Sequence, residues 1–297
     1  MGTERVDKGW QQRGIDTYST EAILGTLAHY GVTLDEAAFK AAAAEDYPFA
    51  IAGRWHQTWK GVGQFSHFPA AAAEELWRRW CPGQVAPSDI ALAVLHLLEE
   101  LAGLVDGAKD EGTLETRFKV VEAYLPKIPA EAARHDRFVG ELLSAFGQDG
   151  MKTFDAMAEA LVRAKHDALA DRFVAIEETI LVQRKDVAKA IVQAERGDEA
   201  GAVKALSAIA ADATRDFWNR LSAVDALFDF EDFAVAKQAL LPLFDEAERS
   251  KDLERLSAVV EHLADLLERD PRMPERNELR ARIEKIAAEL APHHGDA

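Results

Sequence analysis

Cysteine is the rarest residue of this chain: Cys81 is the single one in 297. No internal disulfide can form, and no cysteine-based zinc or iron–sulfur site can be assembled. That fits a reducing compartment. Long apolar runs are missing too. The longest, from Ile90 to Leu98, is interrupted by His96 and followed by Glu99-Glu100, far too short to span a bilayer. The stretch Met1 to Trp10 is charged and lacks an apolar core, so no secretory signal is expected. Val6 stands where a myristoylation signal needs Ser or Thr. Positive charge is in short supply, with 35 Lys and Arg against 52 Asp and Glu and a net charge of -17. The deficit is even, at -8 for residues 1–150 and -9 for 151–297. Such a surface repels phosphate backbones and anionic lipid, which excludes general nucleic-acid and membrane binding. It serves solubility, or the engagement of a basic partner. The expectation is a soluble cytoplasmic protein.

Strand patterning is also absent, and what fills the chain instead is helix. Alanine supplies 54 residues, and apolar positions recur every three to four. The predicted fold class is all-α, with antiparallel helical hairpins forming an irregular bundle or a short αα-solenoid. A polar leader covers 1–16. Ser19 or Thr20 then caps a helix ending at Gly31, and Thr33 with Asp35 and Glu36 opens an Ala-rich one to about Asp46. Helix resumes at Pro69 and stops at Cys81-Pro82-Gly83. Ser88-Asp89 starts a helix striped by Ile90, Val94, Leu97, Leu101 and Leu104, broad enough to be central. Thr113 to Leu125 and the segment around Phe138, Leu142 and Phe146 complete an N-terminal region, 17–149, closed by Gly147 to Gly150.

The C-terminal region, 150–292, has few breakers. No Gly or Pro lies between Met151 and Arg196, between Ala202 and Leu241, or between Leu243 and Asp270. Long helices fit there, with a break expected near His166-Asp167 or Lys185-Asp186. Leu253, Leu256, Val260, Leu263 and Leu267 form the cleanest apolar seam, and Asp270-Pro271 ends it. Leu279, Ile283, Ile286 and Leu290 mark a last helix before a tail at 293–297. The change of style places a boundary candidate at 147–151.

Residues 195–210 carry Gly197-Asp198, then Ala202, Ala205 and Leu206. In this they resemble the first helix of a tetratricopeptide hairpin, and a comparable start at Asp229 lies 32 residues on, near that family's period. The partial resemblance, 195–228, implies αα-hairpins with a concave peptide-binding groove. No further copy follows, and the family's aromatic and Pro marks are missing, so an irregular bundle stays open beside it.

The templates for chemistry fail in turn. Glu-x-x-His, His-Glu-x-x-His, an EF-hand loop and a Gly-x-Ser-x-Gly elbow are all missing. Glu99-Glu100 and Glu177-Glu178 are adjacent pairs, pointing about 100° apart on a helix, which suits a solvated face. Trp59-Lys60-Gly61-Val62-Gly63-Gln64 has its lysine on the wrong side of the glycines for a phosphate loop. No catalytic residue, metal ligand set or cofactor is expected.

One segment stands out. Between Tyr47 and Trp80 lie eight of the 24 aromatics and four of the six tryptophans, interleaved with histidine and glycine. Aromatic bodies with polar tips build ligand pockets and interface hot spots, and they equally fill gaps between helices. Trp55, His56, Trp59, Gln64 and His67 are the candidate binding residues of this insert. The favoured function is a non-enzymatic adaptor, scaffold or immunity-like protein, monomeric or homodimeric, that binds another protein. The alternative is a small-molecule or peptide binder, or an enzyme, with its pocket at 47–80.

Overall fold

A computed structural model describes residues 4–108, 112–146, 150–230, 233–269 and 276–290. These residues are all-helical, with sixteen α-helices, several short 3-10 turns and no strand among them. No helix among them is long and apolar enough to cross a membrane. The chain divides into two compact units, 1–153 and 154–297.

In the first unit, α1 is a single turn (Trp10–Arg13), followed by α2 (Thr20–His29), α3 (Glu36–Glu45), α4 (Pro48–His56), α5 (Phe68–Trp80), α6 (Pro87–Val105), α7 (Leu114–Tyr124) and α8 (Ala132–Ser144). The starts follow local chemistry. Ser19 Oγ accepts the Ala22 N–H at 3.0 Å, and Asp35 accepts that of Ala38 at 2.8 Å, so each orphan donor at a helix start finds an oxygen. Pro87 occupies the first turn of α6. Helix α4 likewise has a proline, Pro48, in its first turn but no side-chain cap from its own N-cap residue, Tyr47. The Glu141 carboxylate, brought from α8, accepts the N–H groups of Phe49 and Ala50 at 3.3 and 2.9 Å. Helix α5 packs against α2, α3 and α4, and α6 against α7 and α8. Ile23, Phe39, Phe68, Leu76, Val94, Leu97, Phe118 and Phe138 are buried at the centre. The polar leader is anchored: Val6 and Trp10 are buried, and Val6 N–H donates to Thr26 Oγ1 at 2.8 Å.

The second unit begins within α9 (Gly150–Arg163) and continues with α10 (Asp167–Ile180), α11 (Val187–Glu195), α12 (Glu199–Ala211), α13 (Phe217–Asp229), α14 (Phe233–Ser250), α15 (Leu253–Arg269) and α16 (Arg276–Leu290). Both expected breaks of the long breaker-free stretch occur. Lys165 and Asp186 adopt left-handed φ of 66°, doing without glycine what glycine usually does at helix ends. Consecutive helices from α10 to α16 pack against each other, and α12 also touches α14. The hairpins α10–α11, α12–α13 and α14–α15 begin at Asp167, Glu199 and Phe233, spaced by 32 and 34 residues. Leu206, Val224, Leu227, Leu240, Phe244, Val259, Leu263 and Leu266 form their shared core. Pro242 does not end a helix: α14 runs through it. The expected stops at Gly147–Gly150 and Asp270-Pro271 and the tail 293–297 fall on residues 147–149, 270–275 and 291–297, outside the described residues.

Candidate functional site

Apart from the exposed Phe49, the aromatics of 47–80 sort into three groups of touching rings. Trp59 lies parallel to Phe68 at 6.0 Å and beside Tyr30 at 5.0 Å, with Phe65 and Trp10 completing the group. Its indole N–H donates to the Phe65 carbonyl at 3.0 Å, while that of Trp10 donates to the Gln64 carbonyl at 3.1 Å. Trp55 faces Phe39 at 6.2 Å, and Phe39 in turn meets Trp80 at 5.3 Å. Tyr47 meets Trp77 and Phe138 at 5.7 and 5.3 Å.

The candidate residues therefore split. Trp55, Trp59 and Gln64 are half-buried, whereas His56 and His67 are exposed. Gly61 does permit a close approach, but to its own neighbour: a Cβ there would sit 2.6 Å from the Trp59 indole nitrogen. Tyr47 is tied down by Arg134, whose guanidinium donates to the Tyr47 hydroxyl at 3.1 Å. The same group reaches the carbonyls of Ala43 and Ala44 and the Gln84 side chain at 3.1, 3.2 and 2.7 Å. Packing thus absorbs most of the aromatic area. What faces outward is Phe49, His56, Val62 and His67.

A concave feature lies in the second unit. Between α11 and α12 an open groove of about 400 Å³ is floored by Ala190, Ala205, Ala208 and Ile209. Asp186, Lys189, Gln193, Asp212 and Arg215 form its rim. The groove follows from the sequence locally. Gly197, at φ 93°, turns the chain, Asp198 accepts the Gly201 N–H at 3.0 Å to start α12, and small side chains on the facing helices leave space. The rim is ordered by ion pairs. Arg215 contacts the Asp186 carboxylate at 2.7 Å and that of Asp212 at 3.5 Å, and it donates to Asn219 Oδ1 at 3.0 Å. The hydrogen bond from Arg215 holds the Asp186 carboxyl below the usual carboxylate range. Lys189 lies between Glu178 and Asp186. The titratable groups of the lining, Asp186, Lys189 and Asp212, are each engaged in ion pairs with Arg215 or Glu178, so the groove presents shape and paired charge.

Beneath the turn at 182–186 lies a cluster that sequence reading missed. Arg184 is buried between the carboxylates of Glu177, at 3.2 Å, and Asp155. Burial raises the Glu177 carboxyl to about 7 against the opposing pull of Arg184. The Glu177-Glu178 pair does not form the solvated face expected: Glu177 faces the interior, and the Glu178 side chain, 9% exposed, is turned onto Lys189 and the Asp186 N–H. A signal was available, since Glu177 continues the Phe173, Ile176 and Ile180 stripe. Other reactive types are held quiet. Burial pushes the Cys81 thiol up and the His135 imidazole down, leaving both neutral near pH 7. His262 is raised by hydrogen bonds to Asp225 and the Ala258 carbonyl, which outweigh its burial. No group of three or more His, Cys, Asp or Glu side chains placed to hold a metal occurs among the described residues. Compared with known families, curated proteins and solved structures, the chain gives no significant match.

Proposed function

We propose that this chain is a non-enzymatic protein-interaction protein of the cytoplasm, an adaptor, scaffold or immunity-like inhibitor, that seats a partner protein in the α11–α12 groove. The observation that carries the reading is the groove itself: a floor of mainly small apolar side chains inside a rim of paired charges of both signs. A ridge of side chains from another chain fits such a floor, and the paired rim charges set register rather than affinity. The net charge of -17 favours a basic partner and disfavours nucleic acid and anionic membrane. The rival reading, a small-molecule, peptide or catalytic pocket at 47–80, loses support because Trp55 and Trp59 turn toward other rings.

Affinity purification of the tagged full chain from its native host, with mass spectrometry, tests the proposal. Ala208 is exposed, so Ala208→Arg fills the groove without entering the core. The expected outcome is one dominant partner captured by wild type and reduced at least about tenfold by the variant, as a blocked hot spot costs 2 kcal/mol or more. Equal capture by a folded Ala208→Arg chain would remove the groove from the proposal.

A further inference from the structure

We infer that Glu177 is a proton-operated latch that holds the 182–186 turn against α9 and α10. One guanidinium serves two carboxylates inside the unit. Arg184 is 4% exposed and Glu177 0%, while the Asp155 side chain keeps 22%. Arg184 Nε–H donates to Glu177 Oε1 at 3.2 Å, and Glu177 Oε2 is buried with no hydrogen-bond partner. An ionised carboxylate with one orphan oxygen in the interior is costly, and a proton on it is the cheapest relief.

The surrounding charges agree in sign. Asp155 from α9 and Glu178 on α10 both disfavour a second negative charge, and Arg184 favours it. Asp225 and Asp229 of α13 add negative potential around Asp155, and Asp225 also acts on Arg184. Lys189 of α11 is engaged with Glu178, and His262 of α15 with Asp225 at 3.5 Å. With Glu177 neutral, Arg184 and Asp155 form a balanced pair. With Glu177 ionised, the pocket holds an excess negative charge that only water can relieve, and water enters by lifting the turn.

The turn is suited to two positions. Asp186 sits at φ 66°, strained for a residue with a side chain, and is kept there by donating its N–H to Glu178 at 2.8 Å. Asn219 grips the Gln183 and Lys185 carbonyls at 2.9 and 3.0 Å. Ties of this kind close and reopen together. The latch stands independently of the groove, although Asp186 belongs to both.

Two measurements on the full chain decide it. Carbon-detected NMR of the wild type should show Glu177 titrating near neutrality; titration in the ordinary carboxylate range would overturn the latch. Hydrogen exchange at the Arg184, Lys185 and Asp186 amides, corrected for intrinsic rates, should lose about tenfold or more protection between pH 6 and 8.5. Glu177→Gln should abolish that pH dependence. Glu178→Gln should lower protection at every pH and leave the dependence in place. Constant protection in wild type, or an unchanged pH profile in Glu177→Gln, would contradict the inference. Should Glu177→Gln fail to fold, the wild-type titration and the wild-type exchange profile decide together.

Discussion

A tryptophan among other rings and a histidine beside it meet different fates, and the segment 54–67 contains both. Trp59 stacks on Phe68 and satisfies its indole N–H internally. Trp59→Ala is expected to cost about 3 kcal/mol of folding stability, at the low end for large aromatics because the side chain is half-buried. His56→Ala and His67→Ala, both exposed, should stay within about 0.5 kcal/mol. Thermal melts of the three variants check this, and a Trp59→Ala chain that melts like wild type would mean that the ring serves a surface. Glu177 gives the second residue-scale prediction. Its folded carboxyl sits at about 7 against 4.5 when unfolded, so the native state holds the proton more tightly. The stabilisation is complete below 4.5 and is lost as pH rises through about 7. A shift of that size amounts to about 3 kcal/mol. Urea unfolding of wild type should weaken over this window, and Glu177→Gln should lose that part of the slope.

At the scale of elements, helix starts were legible because a capping residue announces itself in three or four positions. Ser19 caps as its neighbourhood suggests, and the next helix takes its cap at Asp35, two residues past the expected opening at Thr33. At α4 the local signal was Pro48 in the first turn, whereas the capping partner was not legible, since it is Glu141, 91 and 92 residues away. The aromatic cluster was legible as a cluster, but which rings face each other depends on tertiary neighbours such as Tyr30, Phe39 and Phe138, and these lie outside the segment. The groove was hidden for a related reason: small residues on two facing helices look like ordinary helix formers until the helices are paired. Pro242 shows tertiary packing overriding a local rule, because α14 continues through it while Leu240, Leu243 and Phe244 are buried. Pro242 is exposed, so Pro242→Ala should restore a helix hydrogen bond and stabilise by roughly 1–3 kcal/mol. In α15, Leu263 is fully buried and Leu256 nearly so. Leu263→Asp should cost several kcal/mol, enough to unfold much of a typical domain's 5–15 kcal/mol. Circular dichroism followed through urea unfolding at 25 °C reads both variants.

For the whole molecule, two helical units carry a similar share of the negative charge, and the second presents the groove. The central claim is that a partner protein docks there and that the aromatic segment of the first unit is built for packing. Its most direct test is site-specific photo-crosslinking in the native host. A photoreactive amino acid is placed either at Ala208, on the groove, or at His56, on the exposed face of the aromatic segment. A discrete crosslinked protein from position 208, with none from position 56, is the expected result. A discrete adduct from position 56 alone would contradict the account and return the binding surface to residues 47–80.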